Sequence, residues 1–140
     1  NDNLEIVISF IIKTIKRFDL TSGVEQELLP MFKDDEDSEF AGKLLKNTLE
    51  KEKEYREMID IHTQNWELDR IAFMDIIIMQ TALAEIMSFP TIPVNVTLNE
   101  YIEISKNYST DKSAIFINGV LDNIVKELKA ENKLIKVVKI

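Results

Sequence analysis

Residues Ile71 to Phe89 read I-A-F-M-D-I-I-I-M-Q-T-A-L-A-E-I-M-S-F, an almost wholly apolar run whose length approaches that of a membrane span. Asp75, Gln80 and Glu85 decide against that reading. They recur every five residues, so on a helix they fall on three different sides and leave no continuous face for lipid. A mostly apolar helix with polar residues on several sides is best accommodated at the centre of a bundle, wrapped by other helices. The spacing predicts a helix from Trp66 towards Phe89, with Asn65 as its N-cap and a bend near Phe73.

The rest of the chain follows outward from that helix. Ser88 to Pro93 holds two prolines and breaks it, and Pro93 suits the first turn of the next helix. Val94 to Tyr108 and Thr110 to Lys133 read as the last two helices. The tail from Leu134 to Ile140 alternates Ile, Val and Lys, which leaves open whether it is disordered or lies along the body. Upstream, Asp34 to Glu39 is an acidic lead-in suited to a helix N-terminus. Phe40, Leu44, Leu45, Thr48, Leu49, Tyr55, Met58 and Ile59 then mark one long helix running to about Gln64. Its outer side carries Lys and Glu at four-residue spacing, which reads as a solvated face. Leu4 to Phe18 has helical apolar spacing, and Val24 to Phe32 could form a short helix bent near Pro30. The expectation is an all-α bundle of about six or seven helices.

At 140 residues, with 45% hydrophobic and 30% charged residues, the chain can bury a sizeable core as one domain spanning residues 1–140. It begins at Asn1 rather than methionine, so it is expected to be the C-terminal part of a longer protein. Cysteine is absent, which excludes disulfides and thiol chemistry. His62 is the only histidine, which excludes a multi-histidine metal site. Net charge is −8, unevenly spread: residues 25–60 hold 12 acids and 6 bases, whereas residues 101–140 hold 5 acids and 7 bases. An acidic middle attracts phosphate poorly and favours a basic protein partner.

Phe116, Asn118 and Gly119 form an odd cluster in I-F-I-N-G-V-L-D. A mid-helix glycine costs about 1 kcal/mol relative to alanine, so a packed helix or a ligand close by is expected. In one reading Phe116 is core, Asn118 caps or bridges helices and Gly119 lets a helix approach. In the other, Phe116 stacks on an unpaired base and Asn118 bonds to a base edge or backbone. Tyr108, Ser109, Thr110, Lys112 and Ser113 make the turn before that helix; its N-terminus could meet phosphate, while Ser109 or Thr110 caps it. Trp66, Tyr101, Met74, Met79 and Met87 read as packing. Glu100 and Glu103 share a helix side, but no nucleophile, metal cluster or glycine-rich phosphate loop accompanies them, so no enzyme is expected.

Asn99-Glu100, Ile104-Ser105-Lys106 and Phe116-Ile117-Asn118-Gly119-Val120-Leu121-Asp122 resemble the C-terminal signature of the NusB family of transcription antitermination factors. That signature runs roughly V-x-I-N-E-A-V-E-L-A-K, a polar turn, then K-F-V-N-G-V-L-D. Ala82-Leu83-Ala84-Glu85-Ile86 and Ile92-Pro93-Val94 also match, so the resemblance covers about residues 40 to 128. It implies a helical bundle in the cytoplasm, without cofactor or catalysis. The implied partners are the ribosomal protein NusE, single-stranded boxA-type RNA and the transcription elongation complex, with a homodimer also expected. RNA contacts are implied at Tyr108, Lys112, Phe116 and Asn118, at the basic cluster Lys13, Lys16 and Arg17, and at Gln80, where the family often has arginine. Protein contacts are implied at Asp69 and Asp75, although Asp75 also reads as an enclosed acid paired with Arg70 or a lysine. The chain departs from the pattern in lacking an arginine-rich first helix and in placing Ile115 where lysine is frequent. Two rival expectations are the RNA-binding NusB-like domain of a ribosomal RNA cytosine methyltransferase, and a protein-binding bundle without RNA affinity.

Overall fold

The computed structural model describes residues 35–63, 73–108 and 111–137. They form five helices and no strand: α1 (Asp35–Glu50), α2 (Glu52–His62), α3 (Phe73–Ser88), α4 (Val94–Tyr108) and α5 (Asp111–Ala130). The all-α class expected from the sequence is the one observed. The helices expected at 4–18 and 24–32, the Asn65 cap and the start of the central helix from Trp66 lie outside the described residues.

Helix α3 is the axis of the bundle. Every residue from Asp75 to Ile86 is buried, with the polar Asp75, Gln80, Thr81 and Glu85 enclosed along with the rest. The other four described helices all pack against it. Ile77, Ile78, Met79, Leu83 and Ile86 are buried almost completely. Each contributes about 1.5–3 kcal/mol of apolar burial, which is what holds a helix with so many enclosed polar groups in place. Those groups find partners inside: Thr81 Oγ1 donates to Ile77 O at 2.7 Å, and Gln80 Nε2 donates to Glu52 O at 3.2 Å. Among the described residues no helix is long and apolar enough to cross a membrane.

The single long helix expected up to Gln64 is two helices, broken at Lys51. The backbone there has φ −111° and ψ 17°. The ladder nearly survives, since Lys51 N–H donates to Asn47 O and Tyr55 N–H to Lys51 O, each at 3.0 Å. The break comes from packing. Helix α1 lies on α3, whereas α2 packs on both α3 and α5 and must change direction. Gln80 holds the first carbonyl of α2, the Tyr55 hydroxyl donates to Asn47 Oδ1 across the break, and Thr48 Oγ1 donates back to Leu44 O, a bond that bends helices.

The α3–α4 junction is a tight one. Ile92 N–H donates to Phe89 O, and Pro93 O accepts from Val96 and Thr97 N–H, so Pro93 stands immediately before α4 rather than inside its first turn. Phe89 anchors the junction against α1: its ring centroid lies 4.8 Å from that of Phe40, and Lys43 Nζ sits 4.7 Å over its face. Helix α5 ends at Ala130, three residues before the expected Lys133, because Asn132 turns left-handed at φ 56° and Lys133 N–H closes back onto Leu128 O at 2.9 Å. The tail then runs along the body as far as Val137. Leu134 packs on the core, Lys136 Nζ donates to Phe89 O and Val137 N–H to Pro90 O, each at 2.9 Å.

Candidate nucleic-acid interface

Helix α5 is two-faced. Ala114, Ile117, Val120, Leu121, Ile124, Val125 and Leu128 are buried against the bundle. Lys112, Ile115, Asn118 and Gly119 are exposed and Asp122 is half-buried. At 100° per residue these five fall within roughly 120° of arc, so they form one outward stripe near the N-terminal half of the helix. The stripe mixes a cation, an apolar side chain that is 75% exposed, an amide and a bare stretch of backbone. Its lower end is tied off by Asp122 Oδ2, 3.0 Å from Lys126 Nζ.

Gly119 is the informative position. A Cβ built there would meet nothing within 4 Å, so no neighbouring helix requires the glycine. The packed-helix explanation is therefore corrected: the backbone is open to the outside. Asn118 is likewise exposed and bridges no helices. Phe116 divides between its two readings, being half-buried and packed against the core from one side. Lys112 is exposed in the first turn of α5. Tyr108 ends α4, which brings it into the same neighbourhood in sequence; its side chain lies outside the described residues.

The remaining residues named from the sequence are not gathered here. Lys13, Lys16, Arg17 and Asp69 lie outside the described residues. Gln80 is 4% exposed and spends its amide on Glu52 O, so it serves the α1–α2 junction in this structure and is not presented to a nucleic acid. Asp75 is also 4% exposed, near the start of the described part of α3, and does not reach the surface. Tyr101 and Met79 are buried and Met74 and Met87 half-buried against the core, as packing residues should be. His62 lies against the Glu127 carboxylate and joins α2 to α5. Glu103 pairs with Lys106 at 3.1 Å on the surface. Among the described residues no group of three acids or histidines could hold a metal ion.

Ile115 is the surface residue that sequence reasoning passed over, because it registered only as a missing lysine. Its signal was present in the spacing of 112, 115, 119 and 122, which share a helix face.

The described residues thus form a helical bundle around the buried α3, with a mixed polar and apolar stripe on α5. The family model described as NusB family matches residues 10–126, and the chain belongs to that family. It is 35% identical over 132 residues to the transcription antitermination protein NusB of Salinibacter ruber, covering 90% of this chain and 82% of that one. To the protein of the same name from Bacillus licheniformis it is 43% identical over 94 residues, 67% and 73% of the two chains. Among solved structures, T. maritima NusB superposes with a TM-score of 0.78 at 29% identity, over 94% of this chain and 92% of that one. A crystal structure of antitermination factors NusB and NusE in complex with dsRNA superposes with a TM-score of 0.70 at 20% identity, covering 90% and 98%. At that identity the likeness is one of fold.

Proposed function

We propose that this chain is a transcription antitermination factor of the cytoplasm that binds the ribosomal protein NusE and boxA-type single-stranded RNA, and so supports transcription of ribosomal RNA. The observation that carries the RNA half is the exposed stripe of α5. Gly119 leaves backbone accessible where alanine would serve the helix better, and Asn118 and Lys112 flank it with an amide and a cation. An amide can read a base edge, a lysine can neutralise a phosphate, and the exposed Ile115 offers apolar surface to an unstacked base. Membership in a family whose relatives are named for antitermination supports the same reading.

The mechanism is scaffolding. RNA and a basic protein complete one composite surface, which offsets the shortage of cations on this acidic chain. Of the two acids assigned to that partner, Asp75 is enclosed, and the reading gives the direct contact to Asp69. The test is a titration of boxA-type RNA at low and moderate salt, with and without NusE. Binding that is strengthened by NusE and weakened by Asn118→Ala and Ile115→Ala supports the proposal. Failure to bind under every condition overturns it in favour of a purely protein-binding bundle. Phe116→Ala is a poorer probe, because half of that ring belongs to the core.

A further inference from the structure

The arc of the outward stripe on α5 continues below Asp122. Alternating steps of three and four residues lead from Lys112 through Ile115, Gly119 and Asp122 to Lys126 and Lys129, both exposed. At 100° per residue this series falls within about 100° of arc, so one side of the helix carries all of it. Glu127 is turned off that side, with its carboxylate against His62 of α2. Lys126 is held only loosely. Its Nζ lies 3.0 Å from Asp122 Oδ2, and the two side chains are 72% and 50% exposed. Exposed pairs of this kind are weak and screened by salt, so a phosphate oxygen can replace the Asp122 carboxylate on the ammonium. The pair also lays the Lys126 side chain back along the helix, towards Gly119 and the N-terminal half of α5. Lys112 and Lys126 stand about 21 Å apart along the axis at 1.5 Å per residue, with the apolar Ile115 and the bare Gly119 between them.

We propose that Lys126 is a second phosphate anchor of the α5 stripe. A single strand that meets Lys112 near the start of the helix runs down past Ile115 and Gly119, and a phosphate further along displaces Asp122 from Lys126. The inference rests on the proposed function, in which this face meets single-stranded RNA, and it adds a direction and a length to that contact. The occupant is a nucleic-acid strand because cations at both ends of the face suit a repeating phosphate backbone, while the uncharged stretch between them admits bases. Below Gly119 the exposed cations Lys126 and Lys129 face one acid, Asp122, which sets this side apart from a chain of net charge −8.

The test is the affinity for boxA-type RNA against salt, with NusE present, for the parent chain, Lys126→Gln, Lys112→Gln and the double variant. Lys46→Gln is the control, since Lys46 and Glu50 form an exposed pair of the same spacing on α1, at 4.0 Å. Lys126→Gln is expected to lower the slope of log affinity against log salt by about 0.7–1, and the double variant by the sum of its parts, because cations this far apart act independently. Lys46→Gln removes the same charge and leaves the slope unchanged. Shortening the RNA from one end silences Lys126→Gln while Lys112→Gln keeps its effect. A Lys126→Gln slope equal to the parent's, one matched by Lys46→Gln, or an effect that survives shortening from either end overturns the anchor and leaves the RNA reading intact. Absence of RNA binding by the parent chain overturns the proposed function itself, and the anchor with it.

Discussion

At the scale of single residues, the sharpest case is Gly119, where local stability and accessibility pull against each other. Because a Cβ there meets nothing, Gly119→Ala is expected to raise stability by about 0.5–1 kcal/mol through helix propensity. Chemical denaturation reads this directly. If RNA lies against that backbone, the same variant weakens RNA binding, so one substitution moves the two measurements in opposite directions. Lys112→Gln tests the neighbouring cation: removal of one phosphate contact lowers the slope of log affinity against log salt by about 1. Tyr55 provides an independent check on the core. Burial, and then the nearby Glu54, push its hydroxyl up to about 12. A tyrosine whose folded-state value is raised keeps its proton more tightly when folded. Stability is therefore fully present below the ordinary value of 10.0 and falls as pH rises from there towards 12. Absorbance at the phenolate band, followed together with unfolding, shows whether Tyr55 titrates in that window.

At the scale of elements, the central helix and the α1–α2 break show opposite degrees of legibility. The position of α3 could be read because Asp75, Gln80 and Glu85 point three ways, and only a helix enclosed on all sides leaves all three buried. The break at Lys51 could not be read. Its surroundings, Leu49-Glu50-Lys51-Glu52-Lys53-Glu54, are strong helix formers, and the interruption comes with tertiary packing far away in sequence: α2 packs on α3 and α5, and Gln80 bonds to its first carbonyl. Gln80→Leu is accordingly expected to cost about 0.5–1.5 kcal/mol by removing the hydrogen bond that ties α3 to the start of α2, with denaturant unfolding as the measure. The same logic applies to the candidate interface. The sequence reading puts Lys112 in the turn before the helix and leaves Asn118 between bridging helices and meeting RNA. Of the two reasons weighed for Gly119, a packed helix or a ligand, the first is removed by the open space there; sequence alone cannot say whether a glycine faces a helix or open space. Glu85 adds a pH dependence to the α3–α4 pair. Burial raises its folded-state value above the ordinary 4.5, so its contribution favours the folded chain at low pH and declines as pH rises through that raised value. Glu85→Gln should flatten this decline in a series of thermal midpoints across pH 4 to 8.

At the scale of the whole molecule, charge and fold divide the work. The bundle is built around the buried α3, and the acidic surplus of the chain, a net charge of −8, disfavours long-range attraction to phosphate. In the proposed function, recognition is concentrated on one stripe of α5 and depends on a basic companion to complete it. The most direct measurement of that claim is the affinity for boxA-type single-stranded RNA in the presence of NusE, compared between the parent chain and Asn118→Ala. The account predicts tight binding only with NusE present and a loss of about tenfold on substitution, the scale of a single lost base contact. Equal affinity in the two proteins, or RNA binding indifferent to NusE, would contradict it.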